Sequence, residues 1–234
     1  PRGILSTALP TPCDRGHVDS VDGKSVRNPG WTLAATMLAS SLAFIDGSVV
    51  NVALPAIGGD LHANAAGLSW AINAYLLPLS ALLLVGGAAG DRYGRRRMLI
   101  AGIVVFALAS VGCASASGLD VLLTCRMIQG IGAAIVMPNS LGILGSSFEG
   151  EARGRAVGTW AAAGAIAGAV GPPLGGWLVD AVGWRAIFYL NVPVAAAAIA
   201  IAWNYVEESA AGEQPLDWRG AVLATAALGA LAWA

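Results

Sequence analysis

Two ionisable side chains fall where the surrounding chain is otherwise apolar. Asp46 is the only charged residue between 28 and 59, and Arg126 directly precedes the charge-free run 127 to 148. A carboxylate in such a setting can exchange between a proton and a cation, because desolvation favours its neutral form and a neighbouring guanidinium its charged form. Each charge costs about 2.5–3.5 kcal/mol to place in a membrane core, which makes both residues functional candidates. The plainer alternatives are a static Asp46–Arg126 pair, or an Arg126 side chain that reaches out to the interface.

The elements that carry them are read from composition. Charged residues make up 12% of the 234 and hydrophobic ones 56%, with a mean hydropathy of +0.68. Soluble domains carry about 25% charge, so no soluble surface can be built from this chain. A helix needs about 20 mainly apolar residues to cross a bilayer. Runs of that kind predict an all-α membrane protein with spans at 31–53, 69–90, 98–117, 121–143, 156–178 and 185–204. A seventh span starts near 219, but its run from Gly220 stops at Ala234 after 15 residues. With Pro1 in place of an initiator Met, this reads as a piece of a longer protein whose C-terminal half is a missing partner. The expected organisation is a polar cytoplasmic tail (1–30), a six-helix bundle (31–204), a cytoplasmic loop (205–218) and the start of a truncated seventh span (219–234).

Arg and Lys alternate along the chain. The tail has four, the second loop four (Arg92, Arg95, Arg96, Arg97), the fourth loop two (Arg153, Arg155) and the sixth loop Arg219. The opposite side has only Arg185. By the positive-inside rule the N-terminus is cytoplasmic, in a multi-pass protein of the cytoplasmic (plasma) membrane. Trp31, Trp177, Trp184, Trp203 and Trp218 fall near span ends, as an aromatic belt would place them.

The ends of the second and fifth spans carry one pattern twice, Gly86-Gly87-x-x-x-Asp91-x-x-Gly94-x-Arg96 and Gly175-Gly176-x-x-x-Asp180-x-x-Gly183-x-Arg185. Three spans separate the copies, so they lie on opposite faces of the membrane. Either ordinary helix-end residues have coincided, or this is a 3+3 inverted repeat of the kind found in secondary transporters. Asp46 and Arg126 then sit on the first helix of each repeat. Asp46 is seven residues before the predicted outer end of its span, about 10 Å, and Arg126 five residues after the outer start of its own, about 8 Å.

Four segments resemble a known family. Gly87-Ala88-Ala89-Gly90-Asp91-Arg92-Tyr93-Gly94-Arg95-Arg96 is similar to the cytoplasmic 2/3-loop signature of the major facilitator superfamily. Ile45 to Pro55, containing Asp46, resembles the first-span motif of its 14-helix drug:proton antiporter branch. Leu122 to Ala134, with Arg126, Gln129, Gly130 and Gly132, resembles the fourth-span motif tied to proton coupling. Gly164-x-x-x-Gly168-x-x-Gly171-Pro172-x-x-Gly175-Gly176 resembles the fifth-span motif of antiporters. Departures are Ala89-Gly90, where a larger apolar residue and Ala are usual, and Ser48 in place of Thr.

The resemblance implies proton coupling through Asp46, Arg126 and Gln129, and a cytoplasmic gate built from Gly87, Asp91, Arg92, Gly94, Arg95 and Arg96. The alternative for those arginines is that they only set topology. The glycines at 164, 168, 171 and 175 share one helix face, where another backbone can come close, and Pro172 favours a bend. The implied function is proton-coupled efflux of lipophilic or cationic small molecules, drugs or antibiotics among them, by alternating access. The alternative is a symporter or facilitator importing a small solute. The partners would be substrate, protons and lipid, with no nucleic acid. The proton gradient takes the place of a cofactor.

No enzymatic, cofactor or metal site is expected. Gly130-Ile131-Gly132 continues to Ile135 within an apolar run rather than into a dinucleotide loop. Cys13, Cys113 and Cys125 lack metal spacing and read as small apolar filler. The connection after the sixth span, about 15 residues, favours a 14-span over a 12-span protein.

Overall fold

The computed structural model describes residues 28–209 together with Gly220 and Leu223. Nearly all of the tail, most of the 205–218 loop and nearly all of the seventh span lie outside the described residues. Among those described, the elements are helices: α1 (Pro29–Leu61), α2 (Ala65–Tyr93), α3 (Arg95–Ala114), α4 (Leu119–Ser147), α5 (Gly150–Ala181), α6 (Arg185–Tyr189) and α7 (Asn191–Tyr205). Helices are what an apolar medium requires, since each satisfies its backbone polar groups internally. Among the described residues, six spans are long and apolar enough to cross a membrane, with α6 and α7 together forming the sixth.

The helices outrun their apolar stretches. α1 continues two turns past the predicted end at 53, through Pro55 to Leu61, and stops where His62 takes left-handed backbone geometry at φ 52°. Asp46 therefore stands fifteen residues before the end of α1, not seven, and Arg126 seven residues after the start of α4, not five. A proline or a glycine pair suggests a helix end in sequence, whereas the hydrogen-bonded helix ends only at a capping residue. Asn64 provides such a cap for α2, its side chain accepting from Gly67 N at 2.8 Å. The sixth span is broken at Leu190, although that residue keeps helical angles (φ −58°, ψ −32°). Pro193 lacks an N–H, so the carbonyl of Tyr189 receives no helical bond from it.

The inverted repeat is visible in the packing. α2 and α3 both pack extensively on α4, and α5 and α7 both pack on α1, so the neighbours exchange when the repeats are exchanged. Gly94 and Gly183, matched in the repeat, both have positive φ, +100° and +101°. Their equivalent arginines behave alike. Arg96 Nη1 donates to Val206 O just past α7 (3.1 Å), and Arg185 Nη2 to Ala116 O just past α3 (3.0 Å). Cations there complement the negative ends of helix dipoles.

Small residues set the helix separations. A Cβ at Gly130 would collide with Tyr75 O and lie 2.7 Å from Pro78 Cγ; one at Gly132 would lie 2.7 Å from Phe106 N. On α5, Gly164, Gly171 and Gly175 press on Phe44, Ser48 and Val49 of α1. Gly168 does not join them, since a Cβ there would meet nothing within 4 Å. Pro172 and Pro173 lie inside α5 without ending it. Of the tryptophans, Trp31, Trp177 and Trp203 are exposed as a belt requires. Trp184 is not; it is buried and donates to Asp60 Oδ2 at 3.1 Å. Trp218 lies outside the described residues.

Gly130→Ala should lower stability by about 1–3 kcal/mol by forcing α2 from α4. Gly168→Ala should change it by less than about 0.5 kcal/mol. Thermal unfolding of the purified protein in detergent checks both, and equal effects would contradict the packing described.

Candidate functional site

Two apolar clusters fill the bundle. One gathers Ala35 to Ala43 of α1 with Leu99 to Phe106, Ala133 to Ile143 and Ala195 to Ala202; the other gathers Val49 to Ile57 with Cys113, Leu122, Ile187 and Phe188. Between them, on four helices, lie Asp46, Ser110, Arg126 with Gln129, and Asn191. All five are at most 3% exposed.

Asp46 and Arg126 meet directly, Arg126 Nη1 donating to Asp46 Oδ2. The same nitrogen donates to Gln129 Oε1 (2.9 Å), while Nε donates to Ala71 O of α2 (3.2 Å). The guanidinium lies 4.4 Å from the ring centroid of Tyr75 and 5.9 Å from that of Phe188. Cation–π contacts of this kind strengthen when water is excluded. Arg126 therefore does not extend to an interface. Asp46 Oδ1 accepts from Gln129 Nε2 (2.8 Å) and Asn191 Nδ2 (3.2 Å). The same two amide nitrogens both donate to Ser110 Oγ, at 2.9 and 3.2 Å. Cys113, expected only to fill space, also touches the cluster, its thiol 3.7 Å from Gln129 Oε1.

Asp46, Arg126 and Gln129 were named from sequence; Ser110, Asn191 and Tyr75 were not. Neutral polar residues carry little signal in an apolar run, and the three come from helices remote in sequence. Only the mismatch of an amide beside Pro193 could have singled out Asn191.

The loop between α2 and α3 forms a second site. Arg95 binds Asp91 Oδ1 through Nε (3.0 Å) and Nη2 (2.8 Å), and its Nη1 donates to Gly142 O of α4 (2.6 Å). Arg92 lies over the ring of Tyr93, 5.7 Å from its centroid. Gly87 packs on Pro138. Gly90, the departure from the family pattern, makes room for buried Asn139, whose Nδ2 donates to Gly86 O (3.0 Å). A cavity of about 400 Å³ lies between Arg95 and Arg153 beside Gly142 and Gly145.

Sequence reasoning missed what holds this loop from behind. Glu208 Oε1 accepts from Arg96 N (3.0 Å) and Ser209 Oγ from Arg95 N (3.2 Å), so the segment after α7 caps α3. Glu208 Oε2 also lies 3.7 Å from Arg96 Nε and 3.6 Å from Arg97 Nε. Gly94 thus serves twice, since a Cβ there would lie 2.7 Å from Glu208 Cδ. A capping partner more than a hundred residues away leaves no local pattern.

The family model described as Major Facilitator Superfamily matches residues 36–233. The chain belongs to this superfamily. It is therefore a multi-pass membrane protein of a transporter family, built on that fold's six-helix bundle. It is 39% identical over 203 residues to the Methylenomycin A resistance protein of Bacillus subtilis (strain 168), covering 86% of this chain and 44% of that protein. It is 40% identical over 205 residues to the Multidrug resistance protein Stp of Mycobacterium tuberculosis, covering 87% and 38%. The Tetracenomycin C resistance and export protein of Streptomyces glaucescens is 34% identical over 211 residues, covering 89% and 39%. The chain thus spans less than half the length of these curated relatives.

Glu208→Ala should cost about 0.5–2 kcal/mol, as loss of a helix cap does, and speed hydrogen exchange at the Arg96 amide. Arg92→Ala should leave that amide protected. Unchanged exchange in Glu208→Ala would contradict the capping role.

Proposed function

We propose that this six-helix bundle is half of a proton-coupled exporter of lipophilic or cationic small molecules, drugs or antibiotics among them, in the cytoplasmic membrane. The observation that carries the reading is the Asp46–Arg126 ion pair, buried between two apolar clusters on the first helix of each repeat. The names of the relatives, which speak of resistance and export, support the substrate class.

Inside a low-dielectric bundle the pair is stable only while both charges are present. A proton delivered to Asp46 removes one of them and leaves Arg126 as an uncompensated buried cation. The bundle answers by changing the arrangement of α1 against α4, which is how proton binding biases one conformation over another. A charge moved across the membrane potential contributes about 2.3 kcal/mol per 100 mV. Asp46 is thus the proton carrier, Arg126 its counter-ion and Gln129 the group that orients both.

Asp91 and the arginines of the 2/3 loop act as a gate on the cytoplasmic side, with the N-terminus on that same side. Arg95 engages only Oδ1 of Asp91, whose side chain is 62% exposed, which leaves Oδ2 available to another group. Glycines of α5 let that helix ride closely on α1 as access alternates. A symporter or facilitator of a nutrient would need no resistance-type relatives.

Asp46→Asn should abolish proton-driven uptake of a dye such as ethidium into everted membrane vesicles while leaving protein levels unchanged. The assay requires the bundle together with the remainder of the transporter. Undiminished proton-driven uptake in that variant would overturn the proposal.

A further inference from the structure

The ring around Asp46 Oδ1 allows only one way of admitting a proton there. Two primary amides, of Gln129 and Asn191, bracket the same two acceptors, Asp46 Oδ1 and Ser110 Oγ. Each amide thereby uses both of its N–H donors. Ser110 in turn donates to Phe106 O at 2.9 Å, so its hydroxyl proton is taken. Oδ2 faces the Arg126 guanidinium, which has donors only.

A proton placed on Oδ1 turns an acceptor into a donor facing two N–H donors, so one amide must turn its oxygen inward or withdraw. Gln129 is not free to do so, because its Oε1 is fixed by Arg126 Nη1 at 2.9 Å. Turning it would set an NH2 group against the guanidinium. Asn191 carries no such restraint. It is the first residue of α7, immediately after the break at Leu190, where Pro193 withholds a backbone bond. The other titratable or charged groups beside Asp46 are Arg126 on α4, Tyr75 on α2 and Cys113 on α3. Tyr75 donates its hydroxyl to Ala43 O at 3.3 Å and offers no substitute.

We infer that Asn191 is a positioning residue for the proton-carrying carboxylate. When Oδ1 of Asp46 takes a proton from the aqueous phase, the Asn191 amide turns and its carbonyl oxygen accepts the new O–H. The carboxylate becomes a carboxylic acid, and the two N–H···O bonds of Asn191, to Asp46 Oδ1 and Ser110 Oγ, give way to one O–H···O bond, while Gln129 keeps its bond to Ser110 and no covalent bond changes other than the new O–H. The rearrangement falls on the broken turn of the sixth span, and so links protonation of α1 to movement between α6 and α7. This rests on the coupling reading of Asp46.

Infrared difference spectra of the purified chain in detergent, recorded while the pH is lowered, test it through the carboxylic C=O band. That band should vanish in Asp46→Asn. In Asn191→Ala it should move to higher wavenumber, as for a carboxyl whose hydroxyl has lost its acceptor. In Asn191→Ser, which restores an oxygen, it should move back toward the native position. A band unchanged in both Asn191 variants but lost in Asp46→Asn overturns the inference alone. A band that survives Asp46→Asn overturns the coupling reading as well. Elution of each variant as a monodisperse peak ensures that folded protein is compared.

Discussion

A carboxylate and a guanidinium held out of water in an apolar bundle can exist only if every remaining polar atom around them is satisfied. Losing one partner leaves the other as a buried, unpaired charge, a penalty of about 3–5 kcal/mol. Much of the architecture follows from that requirement. α1 and α4 must cross closely enough for Asp46 and Arg126 to touch. α2 must supply the Ala71 carbonyl and the Tyr75 ring, α3 the Ser110 hydroxyl and α7 the Asn191 amide. Gly130 and Gly132 on α4 meet the same requirement, because without them α2 and α3 could not come near enough to deliver those groups.

The inverted repeat turns this local demand into a global arrangement. Each repeat contributes one member of the ion pair from its first helix, so the pair joins the two halves of the bundle. The repeated Gly-x-Arg pattern works at both ends of the molecule: a glycine with φ near +100° ends the second helix, and an arginine reaches the carbonyl just past the third helix of the other repeat. At one end the acid beside it is Glu208, at the other Asp60, which binds Arg185 at 2.6 Å. The acids are unrelated in the repeat, although the arginines are equivalent.

What could be read from the sequence followed from rarity. Asp46 and Arg126 stood out because charge is scarce in apolar runs, and the repeat because its glycines and acids recur at a fixed offset. The 2/3 loop was legible as a charge cluster, but its capping by Glu208 and Ser209 was not, since the partners are far apart in the chain. Asn191 and Ser110 were invisible for a different reason: a neutral polar residue in a span costs little unless its neighbours are known. Helix ends were misplaced where a helix ran on through a proline and glycines, as α1 does through Pro55, Gly58 and Gly59 to Leu61. The glycine stripe of α5 gave the right face but one residue too many, because periodicity alone does not tell that a Cβ at Gly168, although it lies between Gly164 and Gly171 which both touch α1, would meet nothing within 4 Å.

The central claim is that the buried pair exchanges a proton as the transporter works. The most direct test is the pH change of a weakly buffered solution when a lipophilic cation such as tetraphenylphosphonium is added to the purified full-length transporter. Protons should be released on binding in the native protein and none in Asp46→Asn, with the cation still bound. Equal release from both proteins would contradict the account.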